Sequence, residues 1–276
     1  MSELRIRPLN PVIGAEVSGV ALGPDLPAET IVEIERALHE HLVLVFRGQE
    51  DLTPEAHLGF GRCFGEVYCP AMAAYPPEYP DIMLLDTTTP KGAGADRWHY
   101  DATFMPEPPL GAILRPIQLP STGGDTCFAN MYAAYEALSP TLRGMLDGMT
   151  AEHDLTGQLR ISVERGISPE GFDEISAKWP PIEHPVVRTH PVTGRKALYL
   201  TPTTGCRLVG LTPEENDLLL PFLLDHVRRP EFQIRIGWSL DQVVFWDNRC
   251  TQHYGVPDFS ERRIMHRVTI AGDRPR

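Results

Sequence analysis

Short apolar runs of β character, spread along the whole chain, constrain the fold more than any other feature. "DIMLL" (81–85), "GAILRPIQLP" (111–120) and "GGDTCFAN" (123–130, opened by a Gly-Gly-Asp turn) read as strands, as do "FQIRIGW", "QVVFW" and "RRIMHRVTI" further on. "HPVVRTHPVTGRKALYL" (184–200) reads as a hairpin around Pro-Val-Thr-Gly. Helical patterns are fewer. "LPAETIVEIERALHEHLVLVFRGQ" predicts a helix with Ile31, Ile34 and Leu38 on one face, followed by a buried strand over 42–46. "YAAYEALSPTLRGMLDG" (132–148) predicts two short helices joined at Ser139-Pro140, and "TPEENDLLLPFLLDHVRRP" (212–230) a helix N-capped by Thr212. A polar-rich insertion occupies roughly 155–183. Many strands, few helices and an order that does not alternate favour α+β with a mainly β core over a parallel α/β sheet. The expectation is a jelly-roll-like core with helical insertions.

The 27 prolines and 23 glycines are dispersed and mark no linker, so one domain spanning 1–276 is expected. With 42% hydrophobic residues the chain can bury a core without staples. Five cysteines without a C-x-x-C pair argue against a disulfide framework or a structural zinc site and suit a reducing cytoplasm. "MSELRIRPLN" has no signal-peptide character, and no apolar run approaches the length of about 18 residues needed to cross a bilayer. A formal net charge of −12 disfavours a nucleic-acid surface, which needs a clustered basic face. Any anionic ligand must therefore meet a local basic pocket.

One stretch raises metal chemistry. In "RWHYDATF" (97–104), if extended, His99 and Asp101 point to the same side, because side chains alternate along a strand. One ion could touch both, and a histidine from elsewhere would complete a 2-His-1-carboxylate set with open positions. Taken alone, H-x-D is more often a hydrogen-bonded surface pair. His39, His41, His57, His190 and His226 sit in polar or helical settings that suit solvated roles. "VVFWDNRCTQHYGVPDFSERRIMHRVTI" (243–270) places His253 after an apolar strand and a polar turn. It then returns as a strand with Arg263, Met265, Arg267 and Thr269 on one face. The two arginines could each clamp a different anion, or form a salt-bridged outer face.

These residues resemble the taurine dioxygenase family of Fe(II)- and 2-oxoglutarate-dependent dioxygenases. The resemblance runs through "IGAEVSGV", "WHYDATF", "LPSTGGDT", "YEALSP", "HPVVRTHPVTG", "WDNRCTQHY" and "RRIMHRVTI", nearly the whole chain. It implies a double-stranded β-helix (jelly-roll) core, Fe(II) held by His99, Asp101 and His253, and 2-oxoglutarate and O2 as cosubstrates. Thr126 matches the hydroxyl that contacts the 2-oxoglutarate carboxylate, and Arg263 the arginine on its far carboxylate. A guanidinium can grip a carboxylate through two parallel hydrogen bonds. Arg267 matches the arginine that meets the sulfonate in the taurine enzyme, which implies a small anionic organic substrate. Family members are commonly homo-oligomers, so a dimer or tetramer is implied. Trp98, Trp246 and Asp247 are expected to brace the metal-binding strands.

Some positions depart from the pattern. Where the taurine enzyme has polar pocket residues, an ungapped match places Pro70, Ala73 and Ala95, with Tyr75, Tyr68 or Tyr100 as possible replacements. An aromatic that closes over taurine falls at Leu159, and "LTPTTG" (200–205) offers no counterpart for another. A pocket without hydrogen-bonding partners discriminates against an ammonium group. The departures favour an alkanesulfonate, a sulfate ester or a carboxylate over taurine. A sulfonate or sulfate ester hydroxylated beside its head group would release sulfite or sulfate plus an aldehyde, with succinate and CO2 as coproducts; a carboxylate or amino-acid-derived biosynthetic substrate is the alternative. A zinc hydrolase would use the same triad but has no use for Arg263 and Thr126, and a non-catalytic jelly-roll binding protein has no need of the triad.

Overall fold

The computed structural model describes residues 4–69, 75–88, 95–164 and 171–276. Strands Arg5–Pro8 (β1) and Ala15–Ser18 (β2) precede helix Ala28–His41 (α1) and strand Val43–Phe46 (β3). Helix Pro54–Arg62 (α2) is followed by strands Met83–Thr87 (β4), Gly111–Gln118 (β5) and Thr126–Asn130 (β6). Helices Met131–Glu136 (α3) and Pro140–Leu146 (α4) lead to Thr150–His153 (β7). Helices Thr156–Glu164 (α5) and Phe172–Lys178 (α6) then precede Ile182–Pro185 (β8), Val187–Thr189 (β9), Lys196–Leu198 (β10) and Arg207–Leu208 (β11). Helix Pro213–His226 (α7) connects to Gln233–Ile236 (β12), Val243–Asp247 (β13), Thr251–Gly255 (β14) and Arg263–Ile270 (β15).

Two sheets build the jelly roll. The larger has seven strands in the order β1-β2-β3-β13-β5-β15-β4, and the smaller has three in the order β12-β6-β14. β13 is buried along its whole length because both its faces are covered. Val244 and Trp246 share one apolar cluster with Leu114, Phe128, Ile236 and Met265, which joins the two sheets. Val243 and Phe245 point the other way, into a second cluster with Ile34 and Leu38 of α1 and Phe60 of α2. The period-two alternation of one strand therefore feeds two cores. Only the first of these lies beside the metal-site candidates.

Local chemistry explains the element ends. α1 stops where Leu42 adopts a left-handed conformation (φ 66°) and donates its N–H to the Leu38 carbonyl. The Thr212 hydroxyl accepts from Glu215 N–H while the Glu215 carboxylate accepts from Thr212 N–H, a capping box with Pro213 at the first helical position. The two helices expected around Ser139-Pro140 form as α3 and α4, with Ser139 capping the second. The Pro-Val-Thr-Gly hairpin forms as β9–β10.

Several expectations change. The strand placed at 81–85 runs from Met83 to Thr87, where it pairs with β15. Residue 42 caps α1 and is not part of the buried strand. The insertion at 155–183 carries α5 and α6, and its Leu155, Leu159 and Ile175 make a small apolar cluster of their own with Phe104 and Trp179. His57 and His190 are buried, not solvated: each ring is enclosed by the sheet and helices and makes hydrogen bonds there. Residues 97–104 do not form a strand. His99 makes a single antiparallel bridge with His253, and the chain then turns through Ala102 at φ 51°.

Candidate metal centre

His99, Asp101 and His253 converge although the segment carrying the first two is a turn. Backbone hydrogen bonds of 2.9 Å in both directions join His99 to His253 on β14, which fixes the two imidazoles side by side. The turn after His99 swings Asp101 back, so that its Oδ1 lies 3.8 Å from His99 Nε2 and 3.6 Å from His253 Nε2. These groups could hold one ion, each offering one ligand atom within 4.8 Å of the others. Their chemistry fits a metal. His99 Nδ1 lies 2.7 Å from the Arg97 carbonyl, so the proton belongs on Nδ1 and the Nε2 lone pair faces Asp101. Burial pushes His253 down to about 3, which keeps the imidazole neutral. Burial opposes ionisation of Asp101, but the Arg267 guanidinium beside it, through its charge and its hydrogen bonds, holds the carboxyl below the ordinary carboxylate range.

A second set, His39, His190 and Asp247, also lies close together. It is already occupied by hydrogen bonds. His190 Nδ1 accepts from the N–H groups of Val192 and Thr193, so His190 Nε2 carries a proton and donates to Asp247 Oδ2 at 3.0 Å. Arg249 donates to both Asp247 oxygens, at 2.9 and 2.6 Å, and its Nη2 lies 3.2 Å from His39 Nε2. A guanidinium sits where a cation would have to go. This network braces the end of β13, the role expected of Asp247. Trp246 lies against His253 with ring centroids 4.9 Å apart, and Trp98 stacks on Tyr254.

Thr126 and Arg263 meet at a shared neighbour, Trp238. The indole Nε1–H donates to Thr126 Oγ1 at 3.1 Å, and the Arg263 guanidinium lies 5.7 Å from the Trp238 ring. Gly124, at φ +76°, leaves the space Arg263 needs: a Cβ there would be 3.1 Å from Arg263 Cδ. Arg263 Nε is buried without a hydrogen-bond partner among the described residues, and burial pushes its pKa down to about 10. A desolvated guanidinium with an uncommitted N–H is a site for an anion. The expected common face of β15 is interrupted by a register shift between Ile264 and Met265, so Arg263 and Arg267 lie on either side of a bulge.

Arg267 contacts the triad itself. It donates to both oxygens of Asp101, at 3.1 and 2.7 Å, and from Nε to Thr269 Oγ1, while its guanidinium lies 5.3 Å from the Trp246 ring. Beside the triad is a cavity of about 130 Å³ whose lining includes His99, Asp101, Thr103, Phe104, Gln158 and Thr203. Tyr75 is half-buried and within electrostatic reach of Arg267. Leu159 is 2% exposed within the α5–α6 cluster, and Leu155, just before α5, and Gln158, within it, line the cavity instead. The Tyr100 ring also lines it, its hydroxyl bonded to the Leu198 carbonyl. Ala95 is exposed and accepts from Gly255 N–H, while Pro70 and Ala73 lie outside the described residues. Trp238, Thr103 and Gln158 were not singled out by sequence, since an indole ending a strand or a hydroxyl in a turn has no spacing signature. "LTPTTG" lacks the aromatic but brings Thr203 and Thr204 to the cavity wall.

Comparison with known proteins agrees with this geometry. The family described as "Taurine catabolism dioxygenase TauD, TfdA family" matches residues 5–269. An alpha-ketoglutarate-dependent sulfate ester dioxygenase of Pseudomonas putida is 36% identical over 285 residues, covering 99% of this chain and 91% of that protein. An alkylsulfatase of Acinetobacter baylyi is 37% identical over 288 residues, covering 98% and 86%. An alpha-ketoglutarate-dependent 2,4-dichlorophenoxyacetate dioxygenase of Cupriavidus pinatubonensis is 32% identical over 284 residues, covering 96% and 97%. Among solved structures, that of AAD-2 in complex with Mn(II) and N-oxalylglycine has a TM-score of 0.82 at 33% identity and covers 99% of both chains.

Proposed function

The chain belongs to the taurine catabolism dioxygenase (TauD, TfdA) family, and from that premise we propose that it hydroxylates a small sulfate ester or sulfonate at the carbon bearing the head group. It is an Fe(II)- and 2-oxoglutarate-dependent dioxygenase. Bound iron and 2-oxoglutarate, with O2, supply the oxidising chemistry and leave succinate and CO2. His99, Asp101 and His253 would hold the iron, and Thr126 and Arg263 the groups of 2-oxoglutarate that face away from it. The hydroxylated product of a sulfate ester is a hemiacetal sulfate, which collapses to an aldehyde and sulfate; a sulfonate gives an aldehyde and sulfite.

The observation that carries the substrate class is the state of Arg267. Its guanidinium is part-buried beside the triad, and of its five N–H groups one goes to Thr269 and two to Asp101. Two remain for an oxyanion, and Asp101, which Arg267 holds, lines a small cavity together with Phe104, Leu155 and Thr203. An anchored head group fixes which C–H bond is presented to the metal, which is the positioning an enzyme of this kind must supply. Tyr75, near Arg267, and Leu159, behind the cavity wall, would shape the pocket. The names of two relatives, a sulfate ester dioxygenase and an alkylsulfatase, support the same class. The test is succinate formed from 2-oxoglutarate across alkyl sulfates, alkanesulfonates, taurine and hydrophobic carboxylates, with sulfite and sulfate read in parallel. Stimulation by a sulfate ester or sulfonate with matching anion release is expected. Stimulation by carboxylates alone would overturn the substrate class and leave the cofactor chemistry intact.

We also read 1–276 as one domain, because the seven-stranded sheet takes strands from both ends of the chain. Five free cysteines support a reducing, cytoplasmic setting, and no helix among the described residues is long and apolar enough to cross a membrane. For the homo-oligomer we favour the outer face of α7. Leu218 and Phe222 lie four residues apart there, 78% and 52% exposed, with Glu214 in the first turn and Arg229, paired with Glu231, three residues beyond the helix end. Antiparallel pairing of two α7 helices about a twofold axis between Pro221 and Phe222 would set each Glu214 against the other copy's Arg229.

A further inference from the structure

Asp101 is buried in a turn, outside any strand or helix, so its backbone N–H and C=O need partners from elsewhere. One side chain provides both. Asn248 Oδ1 accepts from Asp101 N–H at 2.9 Å, and Asn248 Nδ2 donates to the Asp101 carbonyl at 3.2 Å. The same Nδ2 donates to the Pro109 carbonyl at 3.1 Å, and Asn248 N–H donates to the Leu110 carbonyl at 2.8 Å. Asn248 is fully buried, directly after β13, in the turn that leads into β14 and His253.

We propose that Asn248 is a positioning residue for the metal centre: its carboxamide fixes the Asp101 backbone so that the carboxylate meets the two histidines. This rests on the reading of Asp101 as a metal ligand. Three points carry it. The turn it holds passes through Ala102 at φ 51°, a conformation that a residue with a Cβ adopts only when its surroundings impose it. A carboxamide carries a donor and an acceptor side by side in one plane, so one side chain satisfies the N–H and the C=O of the same residue, which a carboxylate or an alkyl group cannot do. The carboxylate oxygens of Asp101 are tied separately, by Arg267, so Asn248 sets where the ligand residue stands and Arg267 sets how its carboxylate is turned. Asn248 also lies five residues before His253, so one residue links the two ligand-bearing segments.

The test compares metal affinity with folding. Asn248→Ala removes both bonds to Asp101. Asn248→Asp keeps the acceptor for Asp101 N–H but sets an oxygen against two carbonyls, at unchanged volume. Co(II) or Mn(II) titration of the metal-free protein, confirmed folded by circular dichroism, is expected to show affinity weakened by about 10–100-fold in both variants. Unchanged affinity in a folded variant, even one with a lowered Tm, would reduce Asn248 to a structural role and overturn the proposal. If Asn248→Ala does not fold, the isosteric Asn248→Asp decides. Asp101→Ala is run alongside. If it binds metal as well as wild type, the ligand reading fails; if it loses metal while Asn248→Asp keeps it, only the positioning role fails.

Discussion

Arg267 donates from Nη1 and Nη2 to both carboxylate oxygens of Asp101, so the side chain assigned to the substrate's head group is also the counter-ion of a metal-ligand candidate. Both side chains are 11% exposed, and a pair this buried is stable mainly because each charge answers the other. Breaking it from one side leaves a charge stranded. Asp101→Ala is therefore expected to destabilise the metal-free protein by about 3–5 kcal/mol, whereas Asp101→Ala with Arg267→Met should lose distinctly less than the single variant. Urea unfolding of the single and double variants measures this. Losses that simply add would mean that the two charges are independently solvated.

Arg263 is expected to act on the cosubstrate and not on the prime substrate. Arg263→Lys keeps the positive charge but gives up the two parallel N–H bonds to a carboxylate and places a different cation near the Trp238 ring. KM for 2-oxoglutarate should rise by about 10–100-fold, a loss of roughly 1.4–2.8 kcal/mol of binding, with a smaller change in kcat. Steady-state kinetics with each substrate varied in turn distinguishes the cases. A rise confined to KM of the prime substrate would reassign Arg263.

The jelly roll was legible because burial patterns are local: the four-residue apolar run Val243–Trp246 of β13 and the capping box at Thr212 can be read from a few neighbouring residues. The candidate triad was legible only through resemblance. Its geometric premise, an extended 97–104, does not hold, because Asp101 comes round through the turn at Ala102 and is held there by Asn248, 147 residues away in sequence. Such long-range hydrogen bonds leave no periodic signal. His190 illustrates the opposite failure. A polar setting in sequence suggested solvent, yet the ring is enclosed and both its nitrogens are committed to Asp247 and to backbone N–H groups. Asn248 stands in the motif "WDNRCTQHY", but nothing in the string tells which of its neighbours bonds to Asp101.

Buried histidines should make stability depend on pH. Burial pushes His57, His153 and His253 each down to about 3 from the ordinary 6.5. Between those values the unfolded chain binds protons that the folded chain refuses, so stability rises with pH through the window and falls as pH drops below about 6.5. Going from pH 7.5 to 5.5 is expected to cost the metal-free protein about 1.4 kcal/mol per buried histidine, or about 4 kcal/mol for the three. Urea midpoints across that range check it, and His57→Gln should flatten the dependence by about a third. A midpoint that does not move would show that these imidazoles are protonated, or free to become so, in the folded protein.

The α7 pairing makes a prediction that charge alone decides. If two copies meet antiparallel with Glu214 facing Arg229, Glu214→Arg places two arginines together at each end of the helix pair, and Arg229→Glu places two glutamates together. Each variant alone should lose its oligomer, because like charges in contact are repulsive at an interface. Mixed in equal amounts, the two variants should associate again, since every contact between position 214 of one copy and position 229 of the other then pairs an arginine with a glutamate. Light scattering after size-exclusion chromatography reads both states, and added salt should weaken the reassociation by screening it. Leu218→Glu is the complementary probe of the apolar centre, where a charge cannot be matched by any mixing. Oligomers that persist in all three variants would place the contact elsewhere on the surface, while loss in Leu218→Glu without rescue by mixing would keep the face but reject the antiparallel register.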